Sequence, residues 1–122
     1  MANAFRLLSE KATIPRLCMP FIDCIRAAKN AGGITSWAHP PAGAVKQYIQ
    51  EFVHAGLDGL EALRPGVGAS AKKTYKKAVK RYDLLMTGGS DWHGWSDSNL
   101  GLFYIQQREL RPFFDRLWKT AA

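Results

Sequence analysis

The residues best suited to chemistry are histidines and carboxylates placed where short apolar runs end. Asp91 and His93 lie two residues apart inside Gly88-Gly89-Ser90-Asp91-Trp92-His93-Gly94. In an extended segment such neighbours project to the same side, so a carboxylate and an imidazole are expected to share one face. That pair mixes a hard oxygen with a borderline nitrogen donor and suits Mn²⁺, Fe²⁺ or Zn²⁺. The flanking glycines allow the tight turns that would hold it at a strand mouth. His39 closes another apolar run, and Pro40-Pro41 after it forbids the strand to continue. Alone, a histidine there is more often a packing residue. Beside Asp91 and His93 it becomes a third candidate ligand.

Glu61 and Arg64 end a further run. The arginine could grip a phosphate with its fork of donors, and the glutamate could orient a ligand histidine from behind. The alternative for both is an ordinary surface ion pair, formed with each other. His54 sits beside Val53 and Ala55 within a helical pattern and is expected to be structural or solvent-facing.

These groups need elements to position them. Phe21, Ile22, Ile25 and Ala28 recur at helical spacing and stop at Ala31-Gly32-Gly33. Ile34 to Ala38 reads as a short strand with His39 at its exit. Val45, Tyr48, Ile49, Phe52 and Val53 form one helical face ending at Gly56. Leu57 to Leu63 is a second strand, closed by Arg64-Pro65-Gly66. Tyr75, Ala78, Val79 and Tyr82 predict a third helix, with Ser70 as its expected cap. Leu84 to Thr87 predicts a third strand and Leu100 to Ile105 a fourth. A last helix carries Leu110, Phe113, Phe114, Leu117 and Trp118. Helix and strand in alternation, joined by short connections, belong to βα units and a parallel sheet. In such sheets reactive groups collect at the strand C-termini, where His39, Glu61 with Arg64, and Asp91 with His93 all fall. About four units make roughly half of a barrel or a small open sheet.

A length of 122 residues allows one domain. The hydrophobic share of 47% and charged share of 22% exclude a disordered chain and fit a globular one. The net charge of +7 favours anionic partners: phosphate esters, nucleotides or nucleic acid. The third helix carries Lys72, Lys73, Lys76, Lys77, Lys80 and Arg81, read as a solvated face because no aromatic residues interleave for base stacking. Cys18 and Cys24 have neither a disulfide framework nor metal-knuckle spacing and read as reduced packing thiols. No apolar run approaches the ~20 residues that span a bilayer. Met1 to Phe21 lacks a secretory h-region, and Glu10 and Pro15 weigh against a mitochondrial presequence. The expected location is the cytoplasm, with no membrane partner.

The order of the motifs resembles the PHP (polymerase and histidinol phosphatase) family. AGGITSWAHP at 31–40 is similar to its AGG…AHP segment, GLDGLE at 56–61 to its next strand, and LLMTGGSDWHG at 84–94 to its GSDxHG motif. Leu100-Gly101 and the helix beyond continue the likeness, as does the stretch from Ala4-Phe5 to Pro15-Arg16. The resemblance implies an α/β fold that is the C-terminal half of a distorted (β/α)₇ barrel, in a single, incomplete domain over 1–122. It implies two or three divalent metal ions (Mn, Zn or Fe), with His39, Asp91 and His93 matching family ligands. It implies hydrolysis of a small-molecule or nucleotide phosphoester, or of an RNA end. The family's N-terminal half supplies a His-x-His and further ligands that have no counterpart here, where His39 is the first histidine. Activity is therefore expected to need that half, from a partner or through self-association. A non-catalytic remnant acting as a binding module, and a basic nucleic-acid-binding module, are the alternatives.

Overall fold

A computed structural model describes residues 18–94 and 100–120. The stretch from Ala4 to Arg16 lies outside the described residues. The elements are α1 (Phe21–Asn30), β1 (Ser36–Trp37), α2 (Ala42–His54), β2 (Gly59–Leu63), α3 (Ala69–Tyr82), β3 (Leu85–Gly88) and α4 (Gln107–Thr120). The strands pair in parallel in the order β1-β2-β3. The architecture is a partial (β/α) barrel.

Period-two alternation divides this sheet into two unlike faces. Trp37, Leu60 and Met86 stand in register and share the face turned to the helices. There Trp37, Leu60 and Ala62 pack with Ile25 of α1, Val45 and Ile49 of α2, and Tyr75 and Ala78 of α3. Phe21, Trp37 and Phe52 close one side as an aromatic cluster, with ring centroids 4.5 to 5.6 Å apart. The opposite face carries Ser36, Gly59, Glu61 and Thr87. Ser36 Oγ and Thr87 Oγ1 meet there at 2.7 Å, across β2, because Gly59 between them has no side chain.

The lower edge, where the strands begin, is tied by one carboxylate. Asp58 accepts the Thr35 N–H at 2.9 Å and Lys29 Nζ at 2.9 and 3.1 Å, and Arg116 Nη1 of α4 stands 3.4 Å away. Burial pushes this carboxyl up, but the Thr35 N–H bond and the Lys29 bond and charge outweigh it and hold the group below its ordinary 3.8.

Three expectations change. Leu100 to Ile105 is not a strand, so the sheet has three strands rather than about four: the segment runs through turns and bends, with Gly101 at φ 96°. Leu100, Leu102 and Tyr104 are 69 to 77% exposed, while Ile105 packs onto Gly88. The alternation there reflects one side resting on the molecule without a ladder. Ser70 is not a cap but lies inside α3, whose cap is Gly68 without a side-chain bond. The Ser70 carbonyl instead accepts Thr74 Oγ1 at 3.2 Å. Cys18 and Cys24 are free thiols as expected, but exposed rather than packed. His54 is exposed at the end of α2, as expected.

Candidate metal centre

The upper edge of the sheet brings His39, Glu61, Asp91 and His93 together. His39 follows β1, Glu61 lies within β2, and Asp91 and His93 follow β3. His39 Nε2 stands 3.5 Å from Asp91 Oδ1 and 3.7 Å from Glu61 Oε2. His93 Nδ1 lies 3.6 Å from Asp91 Oδ1. Two donors each about 2.1 Å from a shared ion stand about 3.0–3.4 Å apart, a spacing that the His39 Nε2–Asp91 Oδ1 pair nearly meets.

The backbone has been bent to achieve this. Among the described residues the non-glycine positions with positive φ are His39 (49°), Asp83 (50°) and Asp91 (54°). Asp83 terminates α3; the other two are the candidate ligands. Left-handed backbone costs an L-residue about 1–2 kcal/mol, and such outliers gather at functional sites. The extended geometry expected for Asp91 is thus absent. The pair meets because the chain turns at Asp91, not because alternate side chains line a strand.

What holds His39 in that conformation is a set of contacts from the neighbouring units. Its N–H donates to Glu61 Oε2 at 2.7 Å. Pro40 is fully buried, and its carbonyl accepts Tyr75 Oη at 2.6 Å. A buried tyrosine hydroxyl needs a partner, so a residue that reads in sequence as apolar stripe anchors the His39 turn from α3. Glu61 is 9% exposed and reaches the backbone of the candidate ligand as well as its ring. On the Asp91 loop, His93 Nδ1 is 2.6 Å from the Asp91 carbonyl. A carbonyl only accepts, so Nδ1 carries the proton and Nε2 keeps the lone pair that a metal would use.

Arg64 does not form the ion pair with Glu61 that sequence allowed. Its Nε is buried without a hydrogen-bond partner among the described residues, whereas Glu61 is engaged by His39. Among the described residues no group of three or more histidine, cysteine or carboxylate side chains is arranged to hold a metal ion. The donors suit a divalent ion in kind, and only His39 Nε2 with Asp91 Oδ1 comes near the spacing of a ligand pair.

A three-stranded parallel βα sheet with helices packed on it defines the fold class: an α/β protein, a partial (β/α) barrel. Within it, the fold superposes with a TM-score of 0.71 on a Bifidobacterium adolescentis protein assigned as a metal-dependent phosphoesterase, at 31% identity, covering 94% of this chain and 44% of that one. Over 74 residues, 59% of the chain, it is 34% identical to the phosphoribosyl 1,2-cyclic phosphate 1,2-diphosphodiesterase of Eggerthella lenta. That stretch is 28% of the E. lenta protein, so the chain spans less than half the length of either relative. No protein-family profile matches. These likenesses bear out the resemblance to PHP-type phosphoesterases drawn from the AHP and GSDxHG motifs.

Proposed function

We propose that this chain contributes one side of the active site of a metal-dependent phosphoesterase, corresponding to the C-terminal half of the PHP domain. The observation that carries the reading is the gathering of His39, Glu61, Asp91 and His93 over three adjacent strand exits, with both His39 and Asp91 in left-handed backbone. His39, Asp91 and His93 would hold divalent ions, manganese, zinc or iron. Bound there, an ion supplies Lewis acidity toward a phosphoryl oxygen and acidifies water for attack. Glu61 keeps the His39 turn in place through its N–H. The Asp91 carbonyl fixes the His93 tautomer. Arg64, at the exit of β2, is assigned through its guanidinium fork to a phosphoryl oxygen of the substrate, a small-molecule or nucleotide phosphoester.

The partial ligand set supports completion by further polypeptide, from a partner or a second copy. Exposed thiols at Cys18 and Cys24 fit a reducing, cytoplasmic setting. Among the described residues no helix is long and apolar enough to cross a membrane.

The test is a calorimetric titration of the chain with Mn²⁺ and Zn²⁺, beside Asp91→Ala. Saturable binding at the rim, weakened at least tenfold by the substitution, is expected. Binding of equal strength in both proteins would remove Asp91 from the site and the proposal with it.

A further inference from the structure

Away from the rim, α2 and α3 pack side by side and leave a groove of about 590 Å³ between them. Its walls carry Lys46 from α2 and Lys73, Lys77 and Arg81 from α3, with Ser70 and Thr74 hydroxyls among them. Lys72, Lys76 and Lys80 continue the positive surface on the outer side of α3. None of these lysines makes an ion pair or hydrogen bond among the described residues. Arg81 lies 5.3 Å from the Tyr82 ring centroid, a contact that leaves its charge uncompensated.

The helix is built against its own electrostatics. α3 contains no acidic residue, and its first turn holds none to meet the helix dipole. Lys73, Lys77 and Arg81 repeat at i, i+4, as do Lys72, Lys76 and Lys80, and like charges so spaced repel. Glu51, the acid of α2, is two positions from Ile49 and therefore off the groove-facing side. Nothing on either helix neutralises the groove.

We infer that the α2/α3 groove binds the phosphate backbone of a nucleic acid without regard to its sequence. Cations about 6 Å apart along α3 match a ligand with regularly repeated negative charge, and the hydroxyls add neutral donors to phosphate. A membrane surface fits less well, because interfacial helices need an exposed apolar side, and the Tyr75, Ala78 and Val79 stripe of α3 faces the core. Base stacking plays no part, since the aromatic ring of the groove, Tyr82, is half-buried. The groove lies apart from the rim, so its binding is independent of the phosphoesterase reading.

The experiment is fluorescence anisotropy of a labelled 20-base-pair DNA duplex with the full chain, in EDTA so that ions at the rim play no part. Four groove cations predict a slope of about −3.6 in log affinity against log salt, or roughly a hundredfold loss between 50 and 200 mM. Lys46→Gln with Lys77→Gln should weaken binding about tenfold or more and make the slope shallower by about 2. A charge-matched control on α4, Arg108→Gln with Lys119→Gln, should leave both nearly unchanged. Circular dichroism confirms that the variants fold. Absent or salt-independent binding would overturn the inference, as would equal weakening by the control pair. Capture by phosphatidylserine vesicles without binding of the duplex would overturn it in favour of a lipid surface.

Discussion

Asp58 and the rim histidines divide the work of individual residues between the two edges of the sheet. Asp58 is an acid whose value lies in the stability of the lower edge: two bonds from Lys29 and one from the Thr35 N–H keep it ionised against its burial. A carboxyl held below its ordinary 3.8 adds stability that is fully present above that value. The contribution is lost as pH falls through the lower folded-state value. The urea midpoint should therefore drop between pH 6 and pH 3, and Asp58→Asn should start lower and lose less over the same interval. An equal drop in both proteins would show that acid unfolding is set elsewhere. At the upper edge the carboxylate logic differs. Glu61 serves a backbone N–H and a ring nitrogen of one histidine, so its role is geometric before it is chemical.

At the scale of elements, closeness of the strands depends on glycine in a way that a turn-based reading misses. Gly88 precedes the Asp91 loop, where a glycine allows a tight turn, but it has the further task of admitting its neighbours. A Cβ there would meet the Leu63 carbonyl oxygen, Leu63 Cβ and Ile105 Cδ1, the last two within 2.8 Å. Backbone cannot move aside as a flexible side chain can. Gly88→Ala should cost about 3 kcal/mol or more by overpacking and displace the strand that carries Asp91. At Gly43 in α2 an added methyl would find nothing within 4 Å, so Gly43→Ala should gain up to about 0.5–1 kcal/mol in helix propensity. Paired urea denaturations check the two signs. A neutral Gly88→Ala would mean that β2 and β3 do not approach as described.

For the whole molecule, the unlike faces of the sheet matter most. One face is sealed by α1, α2 and α3. The other holds Ser36, Thr87 and the buried Glu61 and Leu85, and beyond β3 the surface carries Leu100, Leu102, Tyr104 and Trp118, each 69% exposed or more. Single exposed apolar residues are normal, whereas several close in sequence mark a surface that associates. The proposed completion of the site predicts that the 122-residue chain runs above its 13.6 kDa monomer mass in light scattering, increasingly so with concentration. A monodisperse monomer at all concentrations would count against self-association and leave a separate partner.

Much of this molecule is written in local pattern. Periodicity at 3.6 and 2 residues locates α1 to α4 and the three strands to within a few residues, because apolar spacing alone decides which side of an element can be buried. Strand exits name the candidate residues, since parallel βα units leave their reactive groups there. Neighbours distant in the chain decide the rest. The run from Leu100 to Ile105 alternates like a strand, but a strand needs a ladder partner and this segment only rests Ile105 on Gly88. Tyr75 reads as core because its hydroxyl target, the Pro40 carbonyl, is 35 positions away. Asp91 meets His39 through left-handed backbone at both residues. Residue type does not announce that conformation, and only contacts such as His39 N–H to Glu61 can impose it. Residue type thus determined what chemistry was available and at which edge, while tertiary packing decided how the donors face one another, because that geometry is enforced across strands rather than along them.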